Sequence, residues 1–369
     1  MKNMKPFILC SALMSLCLTG CQRPAGESSP APVPEDNTVD VFVLSGQSNM
    51  EGSTYWKLDN GTPILENYFE EEKMDFAPVR DGVENVLTSY YGFYYPNNRD
   101  GSPKWSDAHS NSPDQSSAEA RLTPNFEPTK VGMGVGDNGS GLYFGPELGI
   151  ANTLSEYVSE DRPLHLIKCA FSGSGFEKTD GPTWKTREDE SLSAEENAKR
   201  SLYYLLKRYT NNCIEAIEET GKQPIIRGFI WHQGESDTGN SNYQTQMEEL
   251  IKDFRDDYAD YAEDGDGKNI AFLDCTIYDG PKNRYGSQSE VNNGINKLKN
   301  NIAAKGLLDE NDENYEKNYI VDGTFTEHGL SLEIGDESKG GYNLYHYNTA
   351  DAYKLGQAYA KIILDHNLI

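Results

Sequence analysis

The amino-acid sequence predicts an α/β fold, a three-layer α/β/α sandwich with helices on both faces of a mostly parallel sheet. Four apolar runs have the length of buried strands, and they are 41–44, 164–171, 224–231 and 270–275. Segments with helical spacing of apolar residues follow the later runs. This alternation indicates β–α–β units, because parallel neighbouring strands need a crossover between them.

Periodicity and end signals predict the helices. The clearest helix covers 194–219, where apolar side chains recur at helical spacing and Gly221 follows. Another begins at Gly145-Pro146, because proline suits the first turn. Three further helices are predicted, over 242–260, 287–304 and 349–364.

A long stretch, about 53–140, is rich in Gly, Pro, Asn, Asp and Ser. We expect a long loop insertion there, and loops of this length are usually functional or disordered. Its aromatic side chains could stack on sugar rings or pack a small core of their own. They are Tyr55, Trp56, Tyr90, Tyr91, Tyr94, Tyr95 and Trp105.

The first residues are typical of an export signal. A charged start precedes an apolar run from Pro6 to Leu18, which is too short to span a bilayer. The run leads into Thr19-Gly20-Cys21, which resembles a bacterial lipoprotein signal and implies lipid attachment at Cys21. An ordinary secretory signal with an incidental cysteine is the alternative. We therefore expect export and lipid anchoring to the cell envelope, in the periplasm or at the cell surface.

Three regions are predicted along the chain. A signal covers 1–20, a disordered tether rich in Pro and acid covers 21–37, and one domain covers 38–369. The chain carries 33 Lys and Arg against 59 Asp and Glu, a formal net charge of -26. Nucleic acid and anionic lipid surfaces are therefore not expected as partners. A neutral polysaccharide is compatible with this charge.

Beyond Cys21 the cysteines are Cys169, Cys213 and Cys275. They allow at most one disulfide, and the sequence leaves its existence open. Two of them lie in apolar runs, so we expect all three to be buried. No Cys-x-x-Cys pair occurs, and structural zinc is not expected.

Polar clusters follow three of the predicted strands. They are Ser48 after a tight turn, Ser172-Gly173-Ser174-Gly175, and His232-Gln233-Gly234-Glu235. Ligands bind at the carboxyl ends of strands in such sheets, so we expect one site that joins the three clusters. A lone serine in this position is more often a helix cap, which is the alternative for Ser48.

A serine nucleophile needs a base, an acid that orients the base, and donors for the oxyanion. Among six histidines, His346 precedes the last predicted helix and His232 lies in the third cluster. Position alone makes both of them base candidates, and either could instead be a core or surface histidine.

These motifs, in this order, resemble the SGNH (GDSL-like) hydrolase superfamily. They are Gly46-Gln47-Ser48-Asn49-Met50, the Gly-rich turn near 173, Trp231-His232-Gln233-Gly234-Glu235 and a late histidine before a helix. The chain is most similar to the sialate O-acetylesterase and acetylxylan esterase branch, carbohydrate esterase family 6. The resemblance covers most of 38–364 and implies a flavodoxin-like architecture.

The resemblance implies a role for each matching residue. Ser48 is the nucleophile and His346 is the base. The oxyanion donors are the backbone N–H groups of Ser48 and Gly173 and a polar side chain, for which Gln233 is the candidate. Ser174 is an alternative nucleophile, because its surroundings nearly match the G-x-S-x-G elbow of another fold.

The acid departs from the superfamily pattern. Most members have Asp three residues before the histidine, and this chain has Asn343. The resemblance to relatives that use the Glu of the His-Gln-Gly-Glu motif makes Glu235 the predicted acid. Asn343 and Asp336 are alternatives, and Glu235 could instead be a structural carboxylate.

The resemblance therefore implies a serine carbohydrate esterase without metal or organic cofactor. It would remove O-acetyl groups from acetylated xylan, a similar polysaccharide or sialic acid through an acyl-serine intermediate. An inactive glycan-binding surface lipoprotein on the same scaffold is the alternative, and Asn343 is the one feature that favours it.

Overall fold

A parallel sheet forms the centre of the described structure. The computed structural model describes residues 37–58, 60–94, 108–134, 141–177, 181–263, 265–278, 287–305, 319–322 and 346–369. The strands in these ranges are β1 (Thr38–Gly46), β2 (Thr54–Tyr55), β3 (Val83–Tyr94), β4 (Ala108–Ser110), β5 (Glu127–Thr129), β6 (Tyr143–Phe144), β7 (Leu164–Ser172), β8 (Gln223–His232), β9 (Ala271–Cys275) and β10 (Tyr319–Asp322).

The helices alternate with the later strands. They are α1 (Ser48–Glu51), α2 (Leu65–Glu71), α3 (Ala77–Asp81), α4 (Pro146–Leu154), α5 (Ala194–Ala198), α6 (Leu202–Glu219), α7 (Tyr243–Asp257), α8 (Ser289–Lys305) and α9 (Thr349–Asp365). None of the helices in the described part of the chain is both long and apolar enough to cross a membrane.

The order of strands in the main sheet is β10-β9-β8-β1-β7-β3-β4, and β5 also pairs with β3. The pairs from β10 to β3 are parallel, whereas β4 and β5 run antiparallel to β3. A separate antiparallel pair joins β2 and β6. This arrangement confirms the predicted mostly parallel sheet.

Apolar side chains cover both faces of the sheet, as the alternation of side chains along a strand requires. Val41 and Val43 of β1 pack in one core with α6, α7 and α8. Phe42 and Leu44 pack in a second core on the opposite face, with α2, α3, α4 and α9. The described residues therefore form the predicted three layers.

The three central strands end side by side. Gly46 of β1 is paired with Ala170 of β7 and with His232 of β8. A Cβ at Gly46 would lie 2.1 Å from the carbonyl oxygen of His232, so only glycine fits where the chain turns toward Ser48. All three polar clusters predicted from the sequence consequently lie at one edge of the sheet.

Close helix packing places α9, the helix that follows His346. A Cβ at Gly149 of α4 would lie 2.1 Å from the carbonyl oxygen of Tyr353. A Cβ at Gly356 of α9 would lie 2.1 Å from the carbonyl oxygen of Pro146. The two backbones can approach this closely only because both positions are glycine.

The region expected to be a long loop insertion, about 53–140, holds α2, α3 and strands β2 to β5 in its described part, so it is not irregular throughout. This region contains β3, a strand of 12 residues inside the main sheet. Its polar residues hide the strand in the sequence, although β-branched and aromatic side chains favour this conformation. Tyr91 of β3 packs in the first core, which supports the packing role for that aromatic residue.

Two smaller corrections concern α6 and β10. The predicted helix over 194–219 is interrupted, and the Ser201 hydroxyl accepts a hydrogen bond from the backbone N–H of Tyr204 to start α6. Strand β10, which is not among the four predicted strands, pairs with β9. Cys169, Cys213 and Cys275 are buried, and none of them forms a disulfide.

The described residues belong to one compact unit, Val33–Ile369. The signal, nearly all of the tether and Cys21 lie outside the described residues. The boundaries at 1–20, 21–37 and 38–369 therefore stay predictions.

Candidate active site

Ser48 is the first residue of α1 and follows β1 after a single connecting residue, Gln47. The backbone N–H of Gln47 donates to the carbonyl oxygen of His232 at 3.1 Å, which fixes the turn against β8. Ser48 is 2% exposed. The first N–H groups of a helix have no partner within the helix, so the backbone N–H of Ser48 suits an oxyanion.

The side chain of Gln47 holds the neighbouring loop in place. Its Oε1 accepts from Gln233 Nε2 at 3.2 Å, from the backbone N–H of Gly234 at 3.4 Å and from that of Ser236 at 3.2 Å. The loop that carries Glu235 is therefore attached directly to the turn before Ser48.

Asn49 connects the segments that carry the three predicted catalytic residues. Its Nδ2 donates to Glu235 Oε1 at 2.7 Å, and its Oδ1 accepts from the backbone N–H of Tyr347 at 3.3 Å. Asn49 follows Ser48, and Tyr347 follows His346. Sequence reasoning missed this residue, and its place inside the Gly46–Met50 motif is the signal that could have identified it.

His346 lies just before α9 and is 5% exposed. Asn348 caps this helix, because its Oδ1 accepts from the backbone N–H of Asp351 at 2.9 Å. Burial lowers the pKa of His346 to about 4. The imidazole is therefore neutral at neutral pH, which is the form that can take a proton from a serine.

Glu235 is 5% exposed, and burial raises the pKa of its carboxyl group to about 7 against the opposing hydrogen bond from Asn49. Its Oε2 is buried and has no hydrogen-bond partner in the described part of the chain. Its Oε1 accepts a hydrogen bond from Asn49 Nδ2 at 2.7 Å. The role of Glu235 as the acid stays a prediction, and Asn343 and Asp336 lie outside the described residues.

His232, the other base candidate, is fully buried under the segment that carries His346. Its Nε2 lies 2.9 Å from the hydroxyl of Tyr347, and its Nδ1 lies 3.3 Å from the hydroxyl of Tyr359. Burial lowers the pKa of His232 to about 3. These contacts give His232 a structural place rather than access to a substrate.

The side chain of Gln233 is occupied within the protein, contrary to the predicted oxyanion role. Its Nε2 donates to Asp237 Oδ2 at 2.7 Å and to the carbonyl oxygen of Ser174 at 3.1 Å. The same nitrogen lies 3.2 Å from Gln47 Oε1, which also accepts from it. The Oε1 of Gln233 accepts from the hydroxyl of Tyr243 at 3.0 Å. An amide has two hydrogens, so this geometry leaves none for an ester oxygen.

The chain turns at Gly173 just after the end of β7, and the next residue, Ser174, is buried. Gly173 has φ +69°, a left-handed conformation that turns the chain at the sheet edge. Ser174 is fully buried, and its hydroxyl accepts from Trp184 Nε1 at 2.9 Å. Ser174 therefore supports the loop and is not placed to act as the nucleophile.

A buried ionic group supports α1 from the β7 side. Lys168 Nζ lies 3.0 Å from Glu147 Oε2 and donates to the carbonyl oxygens of Met133 at 2.7 Å and Glu51 at 3.1 Å. The carboxylate of Glu51 accepts a hydrogen bond from the Ser172 hydroxyl. We call Lys168, Glu147, Glu51 and Ser172 the Lys168 cluster.

The Lys168 cluster links the end of α1 to the residue before Gly173. Burial lowers the pKa of Lys168, and the carboxylate of Glu147 opposes this shift. The described residues contain no group of three or more His, Cys, Asp or Glu side chains that could hold a metal ion. The edge of the sheet thus offers a serine, a neutral histidine and backbone donors.

A family model described as "SASA: Carbohydrate esterase, sialic acid-specific acetylesterase" matches residues 102–317. The match contains Gly173, Gln233 and Glu235, whereas Ser48 and His346 lie outside it. No curated protein matches the chain.

Three solved structures are similar to this chain. NanS has 16% identity and a TM-score of 0.48, over 89% of this chain and 97% of that one. A protein from Arabidopsis thaliana has 16% identity and a TM-score of 0.47, over 89% and 98%. Est24, a carbohydrate acetylesterase from Sinorhizobium meliloti, has 10% identity and a TM-score of 0.37, over 89% and 99%.

Proposed function

Because this chain belongs to the sialic acid-specific acetylesterase family of carbohydrate esterases, we propose that it releases acetyl groups through an acyl-Ser48 intermediate. The family makes the protein a carboxylic ester hydrolase that acts on O-acetylated carbohydrate. Acetylated xylan, a similar polysaccharide or a sialic acid glycan is the proposed substrate.

The proposed reaction has two steps, acylation of Ser48 and hydrolysis of the acyl-serine. The Ser48 hydroxyl forms a bond to the acetyl carbon while His346 takes its proton. The tetrahedral intermediate then breaks its bond to the sugar oxygen, which receives that proton and leaves as the free hydroxyl. Water repeats the attack on acyl-Ser48, releases acetate and regenerates the serine.

The bridge made by Asn49 is the observation that supports this proposal most directly. It brings the Ser48 turn, the Glu235 carboxylate and the backbone next to His346 into one hydrogen-bonded group. The segments are far apart in the sequence, and 186 positions separate Asn49 from Glu235. We propose that Glu235 acts as the acid of this group and influences His346 through Asn49 and the backbone of Tyr347.

Two backbone N–H groups, of Ser48 and Gly173, are the proposed oxyanion donors. They belong to the first residue of α1 and to the residue after β7, which end at the same sheet edge. Removing one donor from such a site costs roughly 10²–10³ in kcat. The Lys168 cluster sets the relative position of these two backbones.

Ester hydrolysis and active-site labelling test the nucleophile together. The purified protein is assayed with p-nitrophenyl acetate and with a fluorophosphonate probe, beside Ser48→Ala and Ser53→Ala. Ser53 is a matched control, because it is buried in the same region and its hydroxyl has no hydrogen-bond partner among the described residues.

We expect the wild type and Ser53→Ala to hydrolyse the ester and take up the probe, and Ser48→Ala to do neither. A wild type that neither hydrolyses nor labels would favour the inactive glycan-binding protein. Activity retained in Ser48→Ala would show that another residue is the nucleophile. A panel of acetylated glycans then identifies the substrate.

We also propose that the protein works outside the cytoplasm, attached to the bacterial cell envelope through lipid at Cys21. The motif Leu18-Thr19-Gly20-Cys21 supports this location. Cells that express the wild type or Cys21→Ala are grown with an alkyne-bearing fatty acid. We expect lipid label on the wild type alone, and equal labelling of both would contradict the proposed attachment.

A further inference from the structure

Three buried side chains form a hydrogen-bonded series beneath the segment that carries His346. The hydroxyl of Tyr347 lies 2.9 Å from His232 Nε2, and the hydroxyl of Tyr359 lies 3.3 Å from His232 Nδ1. Tyr359 also donates to the carbonyl oxygen of Trp231 at 2.6 Å. We call Tyr347, His232 and Tyr359 the His232 chain.

Only one arrangement of hydrogens satisfies this series. The single hydroxyl hydrogen of Tyr359 goes to the carbonyl oxygen of Trp231, so the Tyr359 oxygen can only accept from His232. The neutral imidazole therefore carries its hydrogen on Nδ1. Its Nε2 then accepts from the Tyr347 hydroxyl, which fixes the direction of that bond as well.

The main chain of Tyr347 is also held on both sides. Its N–H donates to Asn49 Oδ1 at 3.3 Å, and its carbonyl oxygen accepts from the Thr54 hydroxyl at 3.0 Å. Together with the bond to His232, these contacts fix Tyr347 at three points. The peptide that joins it to His346 is thereby held between the region after Ser48 and the end of β8.

We propose that Tyr347 and His232 are positioning residues for His346, and that the His232 chain sets where the imidazole stands relative to Ser48. This inference rests on the proposed function, in which His346 is the base. It explains the histidine of the Trp231–Glu235 motif, which has no other task in the proposed mechanism. A misplacement of about 1 Å at a catalytic group can cost roughly 10²-fold in rate.

The first test compares Tyr347→Phe with Tyr353→Phe. Tyr353 is a matched control, since it is buried on α9 and its hydroxyl accepts from Asn152 Nδ2 at 2.6 Å, away from the site. We expect Tyr347→Phe to lose about 10-fold to 100-fold in kcat with KM nearly unchanged. Tyr353→Phe should lose similar thermal stability and keep its kcat.

A kcat of Tyr347→Phe equal to that of the wild type would overturn the inference. An equal loss of kcat in Tyr353→Phe would also overturn it, because general destabilisation would then account for both. The rate of Ser48 labelling by the fluorophosphonate probe should fall in parallel with kcat in Tyr347→Phe alone.

Two substitutions of His232 test the direction of the bonds. His232→Gln can keep an acceptor at the position of Nε2, whereas His232→Asn can keep only the donor at the position of Nδ1. We expect Gln to retain most of kcat and Asn to match Tyr347→Phe. Combining His232→Asn with Tyr347→Phe should add little further loss, because both remove the same bond.

Equal activity of the Gln and Asn variants would contradict the assigned hydrogen positions and overturn the inference. Ser48→Ala, measured in the same experiment, separates the two proposals. If Ser48→Ala stays active, the proposed function fails. If Ser48→Ala is inactive while Tyr347→Phe and His232→Asn remain fully active, the positioning role alone fails.

Discussion

Two buried polar supports flank Ser48, and they differ in charge. The Lys168 cluster on the β7 side contains an ion pair, with Lys168 Nζ 3.0 Å from Glu147 Oε2. The His232 chain on the β8 side contains only neutral groups, because burial keeps its imidazole uncharged. Both supports reach the edge of the sheet at which β1, β7 and β8 end.

Because they differ in charge, the Lys168 cluster and the His232 chain are expected to have different roles. Removing one member of a buried ion pair leaves an uncompensated charge and costs about 3–5 kcal/mol. Removing one neutral hydrogen-bond partner costs about 1–3 kcal/mol. We therefore expect the Lys168 cluster to determine whether the edge of the sheet folds, and the His232 chain to determine how accurately His346 is placed.

The largest effect on stability is expected for Lys168→Met. This change leaves the carboxylate of Glu147 buried without its cation, so the free energy of unfolding should fall by about 3–5 kcal/mol. Urea denaturation followed by circular dichroism measures the loss. Adding Glu147→Gln to Lys168→Met should recover part of it, since one buried charge is then removed.

Lys199→Met provides the matched control for this ion pair. Lys199 pairs with Glu195 on an exposed helix surface, where such pairs contribute little to stability. If Lys168→Met is no less stable than Lys199→Met, the Lys168 cluster does not contribute the stability that its burial implies.

The next effect concerns Glu235, whose carboxylate is bound by the Asn49 side chain beside Ser48. Because its carboxyl group has a pKa of about 7, it is protonated below that pH and ionised above it. His346, with a pKa of about 4, is neutral throughout this range. The kcat/KM of the wild type should therefore rise between about pH 6 and 8 as Glu235 ionises.

Glu235→Gln should abolish this rise and lower kcat by roughly 10²–10⁴, the upper value being that of removing the charge of a triad acid. The pH profile of p-nitrophenyl acetate hydrolysis measures both quantities. A rise centred near pH 7 that persists in Glu235→Gln would assign the titration to another group.

Asn49→Ala tests the same ionisation of Glu235, and its expected effect on activity is smaller than that of Glu235→Gln. The Asn49 amide donates to the Glu235 carboxylate and so favours its ionised form. Without that donor the pKa of Glu235 should rise, and the rise in kcat/KM should move to higher pH. A pH profile identical to that of the wild type would show that the bridge does not control this ionisation.

Much of the fold could be predicted because most of the central strands are mainly apolar runs. Strands β1, β7, β8 and β9 are such runs, and their order with the helices specifies a parallel sheet. Strand β3 could not be recognised, since polar residues such as Glu84 and Asn85 interrupt its apolar residues. Its place in the sheet depends on pairing with β7, which no pattern within the β3 sequence predicts.

The residues of the candidate site could be predicted from the sequence, whereas many of their contacts could not. The motif around Ser48 indicates which groups meet, but not which of their hydrogens are already used. Gln233 carries the right amide, yet its N–H groups bind Asp237 and Ser174 inside the protein. Asn49 was missed because its partners, Glu235 and Tyr347, lie in distant segments of the sequence.

Ser174→Ala is expected to have the smallest effect on activity. The carbonyl oxygen of Ser174 accepts from Gln233 whichever side chain is present at this position. The variant leaves Trp184 Nε1 without its acceptor, so the free energy of unfolding should fall by about 1–3 kcal/mol. Hydrolysis and fluorophosphonate labelling should stay at the wild-type level, and loss of labelling would identify Ser174 as the nucleophile instead of Ser48.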